Sequence, residues 1–409
     1  MIGTEAAPWR ALLPQGRRFV ALPSRRRPVV IAEAEPSVLR YVRTALLAVP
    51  PGSSLPGWAF VAARGALRLQ VLWHAAPHIE SPRGQSPQAR HYERLVSGGL
   101  VLVLRHSRDP DGRLMVLVFA PGESRPRFAV KVPTEPAGAA RVARESARLG
   151  EISALSLGLV RATVPRVVPI EPDGDMPALV TTAAAGTPML VGYHRHGHTS
   201  RPATVDADLA AAGDWLAAFQ SATAGPPAPL DVAPAVPDML RHRAGGSQVL
   251  DHLSRLRARL RRYQAPRTAV HGDFWPGNVL VERGAVSGVV DWEWAEPAGS
   301  PVRDLARFVL AYSHYLDRHT RRGRSVRGHP GLRSGRPGGA LVYALDGDGW
   351  YPRLVSHFLC AGLRRLGLPP ACARDAVLGE LAAIAAEASD GAFAQEQLRV
   401  FERLAGEVP

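Results

Sequence analysis

Lysine and asparagine are almost missing from this chain. Its 409 residues include one lysine, Lys131, and one asparagine, Asn278, while abundant arginine carries the formal net charge to +14. Cysteine is nearly as scarce. Cys360 and Cys372 form no CxxC spacing and have no nearby histidine pair, which argues against a zinc site or a disulfide framework and leaves two structural thiols. No apolar run approaches the roughly 18–20 residues of a membrane-crossing helix, and the first ten residues lack a basic-then-apolar leader, so a cytoplasmic protein without a membrane span is expected. A hydrophobic share of 46% against 21% charged residues excludes wholesale disorder. An arginine-rich field suits nucleic acid, acidic headgroups or phosphorylated compounds, but arginine with much Ala, Gly and Pro is also the mark of GC-rich coding. Nucleic acid is therefore not the expected partner. The same bias gives the single lysine and the single asparagine their weight, because each survives in a chain that avoids its residue type everywhere else.

What is present falls into three parts. Residues 1–93 form an amino-terminal α/β extension of unknown role, with strands expected at 18–22 and 28–32, a helix near 37–47, an apolar stretch at 58–73 and a linker at 80–90. It offers a possible site for a protein partner. Residues 98–185 read as a meander of strands at 100–104, 114–119 and 128–132, a helix at 139–149, and strands at 164–169 and 178–182. Beyond residue 186 the pattern is mainly helical, at 206–223, 248–263, 301–319, 350–366, 371–388 and 392–404, broken by one hairpin. The Arg- and Gly-rich stretch 321–339 shows no apolar face and is expected to be a mobile loop, with nucleic-acid binding a remote use for it.

The stretch with most chemistry is His271-Gly-Asp-Phe-Trp-Pro-Gly-Asn278, then a hairpin over 279–290, then Asp291-Trp-Glu-Trp-Ala295. Asp273 precedes Asn278 by five positions, the spacing of the catalytic-loop Asp and Asn in kinases. A hairpin turn at Gly284 folds the chain so that Asp291 returns beside that loop. Phosphoryl transfer spreads charge over phosphate oxygens, so it needs positioning and cations more than covalent help. Asn278 and Asp291 are hard oxygen ligands suited to Mg²⁺, and Asp273 is the candidate catalytic base.

With these residues the sequence resembles the aminoglycoside phosphotransferase and choline kinase-like family, from about residue 98 to the carboxyl terminus. The resemblance implies an α+β, protein-kinase-like bilobal fold with an antiparallel-sheet N-lobe and a mainly helical C-lobe (residues 186–409), here carrying the extra amino-terminal extension. It also implies ATP and Mg²⁺. Asp304, in Pro301-Val-Arg-Asp-Leu-Ala306, matches the family acid that buttresses the catalytic loop, and His271 and Glu293 flank the motif as supporting residues. Lys131 matches the lysine that holds the nucleotide α- and β-phosphates, and Glu145 is the carboxylate expected to pair with it, with Glu151 as competitor. The turn 106–113 lacks a G-x-G-x-x-G pattern and offers Ser107 as a nucleotide contact. The expected activity is transfer of the γ-phosphoryl group of ATP to a hydroxyl of a small molecule. Arginines outnumber acids beyond Pro301, which favours a neutral or anionic acceptor. The alternative is a non-catalytic nucleotide-binding scaffold. His194, His196 and His198 alternate, but their Gly- and Arg-containing setting reads as a polar loop near the acceptor rather than a metal site.

Overall fold

The computed structural model describes residues 8–22, 25, 28–46, 78–80, 95–105, 112–169, 177–234, 236–241, 247–388 and 390–406. Two compact units divide the chain, Met1–Gly150 with Pro165–Thr187 and Glu151–Val164 with Pro188–Pro409. Ser107, the apolar stretch 58–73 and residues 81–90 of the expected linker lie outside the described residues.

Apolar residues at period two build the first unit around one antiparallel sheet. Its strands are β1 (Arg18–Leu22), β2 (Val30–Glu33), β3 (His78–Glu80), β4 (Leu100–Arg105), β5 (Arg113–Phe119), β6 (Pro126–Pro133) and β7 (Leu179–Thr182), in the order β3-β1-β2-β4-β5-β6-β7. Alternation sends Val101, Val103, Val116, Val118, Val130 and Val132 into one apolar cluster and Leu102, Leu117 and Phe119 into another, so both faces are covered. The first cluster takes in Trp9 and Leu12, and the second takes in Val38 and Leu39 of helix α1 (Pro36–Tyr41). Residues 164–169 make a single bridge, Val167 to Thr181, instead of the strand expected there.

The amino-terminal strands are not a layer of their own. β2 pairs with β4 through Val30↔Leu104, Ile31↔Val103 and Ala32↔Leu102. Buried Glu33 fastens the junction by accepting the Val101 N–H at 3.0 Å and the Arg17 guanidinium at 3.1 Å, while Arg17 also donates to the Gly99 carbonyl. An apolar strand such as β4 would otherwise present an open row of backbone donors and acceptors, and β2 closes that edge. Helix α2 (Pro136–Ser153) follows β6 and carries Glu145.

In the second unit the described helices include α3 (Met189–Tyr193), α4 (Pro202–Ala222), α5 (Ser247–Leu260), α6 (Arg303–His314), α7 (Trp350–Arg365), α8 (Cys372–Glu387) and α9 (Gly391–Gly406). α6 buries Leu305, Phe308, Val309 and Tyr312, and it packs mainly on α8. Short strands present the motif. β8 (Thr268–Val270) pairs with β11 (Glu296–Gly299), and β9 (Val279–Glu282) pairs with β10 (Ala285–Val289). The β9–β10 turn is Arg283-Gly284, both at positive φ (53° and 80°), the two-residue geometry whose twist matches the strands it joins.

Residues 321–339 overturn the expectation of a mobile loop without an apolar face. Val326 and Leu332 are buried, and their backbones bond to each other at 2.9 Å. His329 is fully buried, with Nε2 at 2.8 Å from the Thr199 carbonyl and its ring against Trp350. Trp350 in turn donates its indole N–H to the Gly328 carbonyl. Three inward residues at positions 326, 329 and 332, tied by cross-loop bonds, anchor a segment that belongs to no helix or sheet until a helix begins at Gly339.

Among the described residues no helix is long and apolar enough to cross a membrane. Both cysteines are free; Cys372 is buried, and its thiol is pushed up to about 11 by burial and by Asp375.

Candidate active site

β8 leads directly into His271-Gly272-Asp273, and three interactions hold this loop. Asp304, in the first turn of α6 and 2% exposed, accepts the His271 N–H at 2.7 Å with Oδ2 and the Gly272 N–H at 2.9 Å with Oδ1. Burial pushes the Asp304 carboxyl above its ordinary value, opposed by His271 and by these two bonds. His271 is fully buried. Its Nε2 lies 2.9 Å from the Val290 carbonyl and must donate there, while Nδ1 accepts the Asp273 N–H at 3.2 Å. Those bonds define one neutral tautomer, and burial pushes the ring below its ordinary value. The third constraint is steric. Gly272 has φ +80°, and a Cβ there would lie 2.1 Å from the Trp294 carbonyl oxygen. Only glycine lets the loop run so close to the segment after Asp291.

The hairpin brings that segment back. Val279 pairs with Val289, and the Val290 N–H donates to the Asn278 carbonyl at 3.0 Å, so Asp291 follows immediately after a residue bonded to Asn278. Asp291 itself sits at φ +66°, a conformation uncommon outside glycine and frequent at functional positions. Trp292 is fully buried, donates to the Val289 carbonyl and meets the His271 ring at 4.6 Å. Phe274 is buried in a stack on Trp215 of α4, whereas Trp275 stays partly exposed. Glu293 is partly exposed just beyond Trp292.

Asp273 has both carboxylate oxygens engaged. The Asn278 amide donates to Oδ2 at 2.9 Å, which leaves the Asn278 side-chain oxygen as an acceptor. Oδ1 takes two bonds from Arg307, Nε at 3.1 Å and Nη2 at 2.8 Å. Arg307 extends through Nη1 to Glu380 at 2.9 Å, and Arg303 reaches Glu296 and Glu387, both at 2.7 Å. Burial works against the charge on Arg307, but Asp273, Glu380 and Glu387 more than offset it and raise its pKa. Glu380 is pushed up to about 8 by burial, against the pull of Arg303 and Arg307.

In the first unit, Lys131 Nζ lies 2.5 Å from Glu145 Oε2, the lysine 13% and the glutamate 4% exposed in their side chains. A charge pair this sheltered is fixed in orientation.

The family model described as the phosphotransferase enzyme family matches residues 114–337, more than half of the chain. The chain belongs to the phosphotransferase enzyme family. No curated protein matches it. Solved structures similar to this phosphotransferase include the apo form of a thermostable mutant of aminoglycoside phosphotransferase APH(4)-Ia, at 14% identity and a TM-score of 0.46, over 75% of this chain and 95% of that one. ADP-bound aminoglycoside phosphotransferase APH(2'')-Ib gives 14% identity and 0.38 over 74% and 92%. Macrolide 2'-phosphotransferase MphH from Brachybacterium faecium gives 16% identity and 0.35 over 67% and 89%.

Within this phosphotransferase the loop and hairpin bring together Asp273, Asn278, His271 and Asp304, with Asp291 at the hairpin's end. The alternating histidines do not converge on one point. His194 meets His319 at 3.0 Å, His196 meets Arg327 at 2.9 Å and His198 meets Asp208 at 2.8 Å. No group of three metal-binding side chains of the His, Cys, Asp and Glu types occurs among the described residues. Arg307, bonded to Asp273, is the residue of this candidate site that sequence reasoning missed. The available sign was its position, three residues after Asp304 and therefore on the same face of α6, one turn on.

Proposed function

We propose that this phosphotransferase is an ATP-dependent kinase that moves the γ-phosphoryl group to a hydroxyl of a small molecule. The observation that carries the reading is the meeting of Asp273, Asn278 and the end of the β9–β10 hairpin on one loop. Asp273 Oδ1 is filled by two Arg307 bonds, and Oδ2 holds one bond from Asn278, so Oδ2 keeps an open lone pair for the acceptor hydroxyl. The hydroxyl oxygen forms its bond to the γ-phosphorus as the bond to the β-phosphate oxygen breaks, and the hydroxyl proton passes to Asp273 Oδ2.

The donor set fits magnesium. Asn278 has its amide nitrogen committed to Asp273 and its oxygen available, and Asp291 supplies a carboxylate, both hard oxygen ligands of the kind Mg²⁺ takes beside phosphates. Held there by Asn278 and Asp291, magnesium would supply positive charge to offset what develops on the phosphate oxygens. Lys131, oriented by Glu145, is the residue that would hold the α- and β-phosphates. Asp304 and His271 position the loop without touching substrate, and Glu293 stands as a supporting residue. A cytoplasmic setting, where ATP is supplied, goes with this reading, and a protein partner for the amino-terminal strands remains a separate proposal.

The test is ADP release from ATP and Mg²⁺ across a panel of hydroxyl compounds. Asp273→Ala is expected to lower turnover by about 10²–10⁴. Nucleotide binding with no Asp273-dependent turnover on any acceptor would move the reading to a nucleotide-binding scaffold.

A further inference from the structure

Beside the catalytic loop, the second unit gathers a cluster that the transfer chemistry leaves unused. Trp275, two residues after Asp273 and partly exposed, faces Tyr315 with ring centroids 6.2 Å apart. Burial pushes the Tyr315 hydroxyl up, with Arg318 opposing and the charge of Asp273 adding to it. The Arg318 guanidinium lies 5.3 Å from the centre of the Tyr315 ring, and His194 and His319 stand beside it with rings 5.1 Å apart.

The hydrogen bonds in this cluster run one way. Arginine can only donate, so the Arg318 Nη1 contact with His194 Nε2 at 3.4 Å makes that nitrogen the acceptor. The proton of His194 is then on Nδ1, which donates to His319 Nε2 at 3.0 Å. His319 in turn must carry its proton on Nδ1. Both rings are pushed below their ordinary value, by burial first and then by Arg318, and His194 reaches about 4. The ring acceptors of His194 and His319 are thereby filled from within, and the His319 nitrogen left over carries N–H.

Its charge is also unbalanced. Among the described residues no carboxylate pairs with Arg318. Asp317 next to it takes the Gly335 N–H at 2.9 Å, and Asp273 is held by Arg307. An aromatic wall, a remaining ring N–H and a guanidinium with no carboxylate partner among the described residues call for a ligand rich in acceptors and negative charge. A polyamine would meet donors with donors.

We propose that Arg318, with His319 and the Trp275–Tyr315 wall, anchors the acceptor, and that the acceptor is a hydroxylated ring compound bearing a carboxylate or phosphate. The inference rests on the kinase reading, because it is the position of Asp273 that makes the neighbouring cluster an acceptor site. The anion would bond to Arg318 while a ring face lies along Trp275 and Tyr315, leaving a hydroxyl to reach Asp273.

Calorimetric binding to the full chain with a non-hydrolysable ATP analogue and Mg²⁺ tests this on four matched probes: glucose, glucosamine, glucuronate and glucose 6-phosphate. At least one of the two anions should bind about tenfold or more tighter than glucose, with glucosamine weakest. Which of them binds separates the carboxylate from the phosphate. Arg318→Met should bring the anion to the level of glucose, and Arg318→Lys should keep part of the preference. Glucosamine binding as tightly as the anions, a preference that survives Arg318→Met, or no binding by any probe would overturn the proposal. ADP release in Asp273→Ala, measured alongside, judges the kinase reading separately: an anion preference that stands without Asp273-dependent turnover defeats that reading and leaves the subsite.

Discussion

Arg307 ties the His271–Asn278 loop to a buried charge network, and its effects on stability and on rate can be separated. Arg307→Met leaves Glu380 with Arg303 alone, at 3.5 Å, and frees Asp273 Oδ1, so it should destabilise the protein by about 1–3 kcal/mol, the usual cost of removing one partner from buried hydrogen bonds. Adding Glu380→Gln should recover part of that stability and none of the lost kcat, because Asp273 stays unclamped. Full recovery of kcat in the double variant would reduce Arg307 to a purely structural residue. Gly272 offers a cleaner steric test. Gly272→Ala and Gly284→Ala share φ +80°, but only the first drives a Cβ into the Trp294 carbonyl, while the second meets nothing within 4 Å. Urea denaturation should show Gly284→Ala costing about 1–2 kcal/mol for the left-handed backbone alone, and Gly272→Ala costing clearly more. Lys131 and Asn278 could be picked out because each is unique in the sequence; Arg307 could not, because arginine is everywhere and nothing local distinguishes the one that folds inward.

The hairpin and its neighbours were legible as elements for a related reason. Period-two patterning marks β4, β5 and β6, and Arg283-Gly284 marks the β9–β10 turn, since each depends on residues near in sequence. What could not be read was pairing between distant segments. The register of β2 on β4 depends on an open strand edge some 70 residues away and on buried Glu33, and neither leaves a periodic trace. The stretch 321–339 failed in another way. Periodicity searches for a helix or strand face, whereas this loop buries Val326, His329 and Leu332 within irregular turns. The segment carries many trypsin targets, Arg321, Arg322, Arg324, Arg327 and Arg333, so its order is open to direct measurement. Limited tryptic digestion should cleave it slowly in the wild type and quickly in His329→Ala, which loses the bond to Thr199 and the contact with Trp350. Rapid cleavage of the wild type would return the segment to the mobile loop that its composition implies.

Across the whole molecule, titratable groups that folding desolvates set two opposing dependences of stability on pH. His194, His271, His314, His319 and His329 are all pushed down, burial being the first cause in each. Between the lowered folded values and about 6.5 the unfolded chain binds protons that the folded chain refuses, so this contribution is complete above 6.5 and is lost as pH falls. Glu380 works in the other direction. Burial raises its folded value against the pull of Arg303 and Arg307, so its contribution is present below about 4.5 and is lost as pH rises through that raised value. One proton is worth about 1.4 kcal/mol per pH unit, and the share of His194 is smaller because its ring is partly open to solvent. Removing one group at a time therefore tilts the profile in opposite senses. Urea denaturation at pH 5.5, 6.5 and 7.5 should show His194→Asn losing less stability on acidification than the wild type, and Glu380→Gln losing more. Parallel profiles for all three proteins would mean that neither group changes its proton affinity on folding, and that the charge network around Arg303 and Arg307 holds Glu380 ionised throughout.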